Sequence, residues 1–104
     1  MNDFLFVCSR NLHRSPTAEH IARARGYTAD SVGTLSVAVR PIDFKSIDRA
    51  RRIVCMETVH ANRVITMVPD ADTLKRIEVW GITDNHTYMD GDLVWLIERL
   101  LDSG

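Results

Sequence analysis

The residues best equipped for chemistry are Cys8, Arg14 and Ser15, in the run Val7-Cys8-Ser9-Arg10-Asn11-Leu12-His13-Arg14-Ser15-Pro16-Thr17. A thiol at a strand end that faces a helix N-terminus is drawn toward the thiolate, because the helix dipole and a nearby guanidinium both favour negative charge. Cys8 is therefore a candidate nucleophile. The spacer Ser9, Arg10, Asn11, Leu12 and His13 is long enough for the backbone to curl around a tetrahedral oxyanion with its N–H groups turned inward. Arg14 then returns to pair two of the oxygens with its planar fork, which a lysine could not do bidentately. Asn11, at the middle of the curl, enters left-handed backbone at low cost and can brace a turn with its side chain. The Ser15 hydroxyl either donates to the sulfur or caps the helix.

Other residue types have plainer readings. Cys8 alone would read as a buried strand-end thiol, but Cys8, Asn11, Arg14 and Ser15 together read as an anion site. Cys55 lies inside an apolar strand and reads as core. His13 and His60 each follow a cysteine by five residues, yet structural zinc ligands pair at tighter spacing, so no metal site is expected. His20 and His86 read as ordinary helix and loop residues, Trp95 as core, and Arg49, Arg51 and Arg52 as a solvated face.

These groups need elements to hold them. Phe4 to Val7 is a continuous apolar run that ends abruptly in polar residues, the signature of a buried strand entering a loop. Ser15-Pro16-Thr17-Ala18-Glu19 opens a helix expected over 16–25 and stopped by Gly26. A weaker strand is expected over 27–32, an irregular connection over 35–44 and a short helix over 47–52. Ile53 to Met56 reads as a second buried strand, 57–67 as a helix stopped by Pro69, 77–80 as a strand and 81–89 as a loop. Asp90 or Asp92 caps a last helix whose Leu93, Val94, Leu96, Ile97, Leu100 and Leu101 form one apolar side.

Alternating strands and helices imply right-handed crossovers and a four-stranded, mostly parallel sheet with helices on both faces. Ligands of such sheets sit at the carboxyl ends of the strands, where the Cys8–Arg14 loop falls. With 104 residues, 45% of them hydrophobic and 26% charged, the chain reads as one globular domain. Its net charge of −1 argues against nucleic acid or an anionic membrane as partner. The first residues resemble neither a signal peptide nor a membrane span, and two cysteines suit a reducing compartment, so a cytoplasmic location is expected.

The run Val7 to Glu19 resembles the phosphate-binding loop of the low-molecular-weight protein tyrosine phosphatases. The likeness takes in the Cys, the Asn three residues on, the Arg six on, and the Ser-Pro and Ala-Glu that follow. Ile53-Val54-Cys55-Met56-Glu57 resembles the family's third strand, and a shortened subgroup shares a Met-Glu-x-x-His, here Met56 to His60. The resemblance implies a flavodoxin-like, phosphotyrosine phosphatase I-like three-layer sandwich. It also implies hydrolysis of phosphotyrosine or a small aryl phosphate through a phosphocysteine, with inorganic phosphate as product and neither metal nor cofactor. In that scheme Cys8 attacks, Arg14 and the amides of Ser9 to His13 hold the phosphoryl oxygens, and Ser15 supports the leaving thiolate. Asp84 stands by position for the family's general acid, with Asp90 as its competitor.

The chain departs from the family in being shorter, chiefly between Gly33 and Ile47, in Arg10 where many members have Gly, and in lacking an Asp-Pro pair at Asp84. Tyr88, His86, Trp80 and Leu12 are the candidates for the wall beside an aryl group. Two other readings compete. An arsenate reductase would need a mobile second thiol, and only Cys55 is on hand. A non-catalytic oxyanion-binding or phosphocarrier module would not need Asp84.

Overall fold

The computed structural model describes residues 1–103. Strands β1 (Asn2–Cys8), β2 (Ala29–Gly33), β3 (Ala50–Cys55) and β4 (Ile77–Val79) alternate with helices α1 (Arg14–Ala24), α2 (Phe44–Arg49), α3 (Thr58–Met67), α4 (Ala71–Arg76) and α5 (Gly91–Ser103). The four strands form one parallel sheet in the order β2-β1-β3-β4.

The apolar run of β1 is continuous because both faces of the strand are covered. Phe4, Phe6 and Cys8 face a layer built by α1 and α5, where they meet Ala18, Ile21, Leu93 and Ile97. Leu5 and Val7 face the other layer and meet Ile47 of α2 and Ala61 and Val64 of α3. The result is the expected three-layer α/β/α sandwich. No helix among the described residues is long and apolar enough to cross a membrane.

Three expectations need correction. The helix expected over 47–52 is displaced: α2 ends at Arg49 and Ala50 already belongs to β3, paired in register with Asn2. Asp43 caps α2 by accepting from the Ser46 amide at 2.8 Å, so the helix starts earlier than its single buried apolar residue, Ile47, suggests. Arg51 and Arg52 do not read as strand, but Arg52 lies over the Phe4 ring and forks onto Glu78 of β4. The solvated-face reading therefore fails for Arg52. Second, α4 was not foreseen. Asp70, directly after the expected stop at Pro69, caps a new helix by accepting from the Thr73 amide at 2.7 Å. Third, Trp95 is not core. It lies two residues from both Leu93 and Ile97, which puts it on the opposite side of α5, 56% exposed under the Arg99 guanidinium.

Candidate active site

The chain leaves β1 for β2 on one side and returns to β3 on the other, so a crevice opens where the two crossovers diverge. The loop from Ser9 to His13 fills this place. It is pinned from outside by backbone bonds: Thr34 donates to Cys8 O at 2.9 Å, Leu35 to Ser9 O at 3.0 Å and Val39 to Arg10 O at 3.1 Å. With the carbonyls turned toward that support, the amides of Arg10 to His13 are taken up by no other backbone carbonyl among the described residues. Gly33 permits the approach, because a Cβ there would lie 2.5 Å from Ala38 Cβ and 2.6 Å from Ser9 O.

Asn11 is left-handed, with φ of 56°, as its residue type suggests. It donates to Ser15 Oγ at 2.9 Å and to Ser31 Oγ at 2.8 Å, and Ser31 donates in turn to Glu19 Oε1 at 2.7 Å. Ser15 Oγ lies 2.9 Å from Cys8 Sγ; it accepts from Asn11 and has one proton to share between that sulfur and the Val32 carbonyl, 3.3 Å away. Ser15 does not cap α1. The N-cap position is His13 and makes no side-chain capping bond, which leaves Ser15 inside the first turn, fully buried against the strand end.

Arg14 is 2% exposed. Its Nη1 donates to Glu57 Oε1 and to the Ile82 carbonyl at 2.8 Å, using both hydrogens of that nitrogen. The Nε–Nη2 edge remains for a bidentate contact with an oxyanion. Asp84 Oδ1 lies 3.5 Å from Nη2, with its side chain 69% exposed. The loop carrying Asp84 is tied to α1 and its approach by the Tyr88 amide, which donates to His13 Nδ1 at 3.1 Å, and by the Met89 amide, which donates to Thr17 Oγ1 at 2.9 Å. Asp90 is occupied elsewhere. It accepts from the amides of Leu93 at 2.9 Å and Thr87 at 3.0 Å, and these bonds, the Leu93 one foremost, hold its carboxyl below the usual range. It is the cap of α5, and Asp84 is the carboxylate at the crevice.

Cys8, Arg14 and Asp84 thus line one cleft of about 580 Å³, together with Ser9, Arg10, Leu12, His13, Leu35 and His86. Of the four candidates for its wall, Leu12 and His86 face the cleft. Tyr88 lines a separate groove of about 670 Å³ along α1, which contains neither Cys8 nor Arg14. Trp80 packs on Phe6 with ring centroids 5.6 Å apart.

Several neighbours of the loop escaped the sequence reading. Glu57 entered it through the strand motif and the Met-Glu-x-x-His motif with no role assigned, although it grips Arg14. His60, 1% exposed, accepts from the Glu57 amide at Nδ1 (3.0 Å) and lies 2.9 Å from Ser9 Oγ through Nε2. Burial first, then the Arg14 charge, lowers its pKa to about 4. The Met-Glu-x-x-His spacing was the one available signal. Cys55 is fully buried and its thiol is pushed up to about 12 by that burial, so it cannot serve as a mobile resolving thiol.

Neither the family models nor the curated proteins compared with this sequence give a match. Solved structures do. A low-molecular-weight protein tyrosine phosphatase from Streptococcus pyogenes superposes with a TM-score of 0.78 at 15% identity, covering 99% of this chain and 93% of its own. Vibrio vulnificus Wzb, in complex with benzylphosphonate, gives 0.76 at 18% identity, covering 98% and 95%. The YwlE arginine phosphatase from Geobacillus stearothermophilus gives 0.72 at 17% identity, covering 99% and 92%. At these identities the likeness is one of architecture, and the chain has the fold of the low-molecular-weight protein tyrosine phosphatases.

Proposed function

We propose that this protein hydrolyses phosphate monoesters through a phosphocysteine. One observation carries the reading: a buried thiol, a hydroxyl 2.9 Å from its sulfur, and an arginine whose Nη2 meets only Asp84, at 3.5 Å, line or border one cleft beside a loop whose amides have no backbone acceptor among the described residues. The Cys8 thiolate attacks phosphorus, forming an S–P bond as the ester O–P bond breaks. Asp84 protonates the departing oxygen. Arg14 and the amides of Ser9 to His13 hold the equatorial oxygens, whose charge is spread in the transition state. Water then attacks phosphorus and gives its proton to Asp84, the S–P bond breaks, and Ser15 donates to the returning thiolate. Inorganic phosphate leaves.

The substrate is a phosphotyrosine or a small aryl phosphate. Leu12 and Leu35, 45% and 44% exposed at the cleft, suit an apolar ring, and Wzb carries benzylphosphonate. A phosphorylated guanidinium is the comparison to run beside it, since YwlE is an arginine phosphatase. The test is hydrolysis of p-nitrophenyl phosphate from pH 5 to 8 with EDTA present. Cys8→Ser is expected to lose at least about 10³-fold in kcat while still binding phosphate. Retained turnover in that variant would remove the covalent route. Phosphate binding by the wild type without turnover would favour the non-catalytic oxyanion module.

A further inference from the structure

The N-terminus of α3 holds the anion loop at both ends. Glu57 takes Arg14, the first residue of α1 where the loop ends, and His60, three positions on, takes Ser9, the residue next to the nucleophile. The ring of His60 has a defined proton arrangement. Its Nδ1 accepts from the Glu57 amide and so carries a lone pair, which places the proton of the neutral ring on Nε2. Nε2–H therefore donates to Ser9 Oγ, and the Ser9 hydroxyl proton is left for an acceptor in the cleft that Ser9 lines.

We propose that His60 is a positioning residue for the anion loop: by donating to Ser9 Oγ it turns the Ser9 hydroxyl into an extra donor to the bound phosphoryl group. The inference rests on the phosphatase reading and deepens it, because it assigns to Met56-Glu57-x-x-His60 the task of presenting the loop. The charged groups that act on the ring are Arg14, Glu57 and Asp84; Arg14 and Asp84 line the cleft, and Glu57 holds Arg14 from behind.

Two replacements separate the roles of the ring. In His60→Gln the side-chain amide still reaches Ser9 with an N–H. In His60→Asn the shorter side chain keeps an acceptor for the Glu57 amide and loses Ser9. Ser9→Ala deletes the hydroxyl alone and leaves α3 untouched, so it tests the idea even if an α3 variant fails to fold. His60→Asn and Ser9→Ala are each expected to lower kcat/KM for p-nitrophenyl phosphate and the affinity for vanadate about tenfold and in parallel, the scale of one hydrogen bond to a charged group. His60→Gln should recover most of both losses, and Ser9→Ala/His60→Asn should be no worse than the poorer single variant. Additive losses, or equal losses for Asn and Gln, would reduce His60 to a filler of the core. Unchanged vanadate affinity in Ser9→Ala would overturn the proposal outright.

Nitrogen-15 spectra of the wild-type ring give a readout independent of turnover, with a neutral Nε2–H tautomer expected at pH 6. A Nδ1–H tautomer or an imidazolium would sink the assignment. The two failures are distinguishable: a wild type that neither binds phosphate nor turns over sinks the phosphatase reading, whereas a wrong tautomer in an active protein sinks the role of His60.

Discussion

Arg14 is as buried as the phenylalanines of β1 and carries a full charge, a placement that is costly unless the guanidinium is paired and hydrogen-bonded. Glu57 and the Ile82 carbonyl meet that need on one nitrogen and, in doing so, orient the opposite edge. Asp84 is the reverse case, an exposed carboxylate with little to hold it except the arginine 3.5 Å away. Its proposed work is proton transfer, and the prediction follows from leaving-group chemistry. Asp84→Asn should slow phenyl phosphate by about 10² to 10³-fold and p-nitrophenyl phosphate far less, because only the poorer leaving group needs the proton. Equal losses on both esters would take the acid role away from Asp84. Asp90→Ala, by contrast, should remove the cap of α5 and lower thermal stability with little dependence on the leaving group.

At the scale of elements, the parts legible in the sequence were those whose pattern is local. The run Phe4 to Val7, the Ser-Pro opening of α1 and the apolar side of α5 each declare themselves within a dozen residues. So did the cluster of Cys8, Asn11, Arg14 and Ser15, because the loop that brings these residues together is contiguous in sequence. The start of β3 was not legible, since Arg52 takes its place in a strand through Phe4 and Glu78, far away in the chain, and the exposed Arg51 beside it gives no strand signal. Glu57, His60 and Ser31 were missed for the same reason: each acquires its partner only when α3 or β2 docks beside the loop. The connection after β2 is where element geometry bears most directly on the site. Gly33→Ala would set a methyl against Ala38 Cβ and Ser9 O, an overpacking expected to cost about 1–3 kcal/mol in urea unfolding. Because Ser9 O belongs to the loop, phosphate affinity should fall by more than a comparable loss of stability elsewhere causes. Unaltered phosphate titration in that variant would mean that the 34–40 segment yields and the loop does not.

For the molecule as a whole, acidity is the condition that should matter most. His60 is neutral in the folded protein down to about pH 4, whereas an unfolded chain protonates its histidines near 6.5. The unfolded state therefore binds more protons through this window, so stability is full above about pH 6.5 and falls by about 3 kcal/mol as pH drops to 4. Below that, Asp43, Asp70 and Asp90, whose helix-capping bonds lower their pKa values, lose their contributions as they protonate. Urea unfolding across pH 4 to 7 reads the slope, and His60→Gln should flatten it; an unchanged slope would assign the acid sensitivity to another group.

The bond from Arg14 to the Ile82 carbonyl spans 68 residues, and Asp84 lies just beyond its far end. Parallel sheets close such distant contacts late, after the chain entropy of long crossovers has been spent. During synthesis the nucleophile loop is thus made almost at once, yet its arginine has no fixed direction until the last strand and the segment after it have emerged and docked. On the mechanism proposed above, reactivity of the thiol toward phosphate esters would switch on only with completion of the fold, and a nascent or broken chain would carry the loop without the activity.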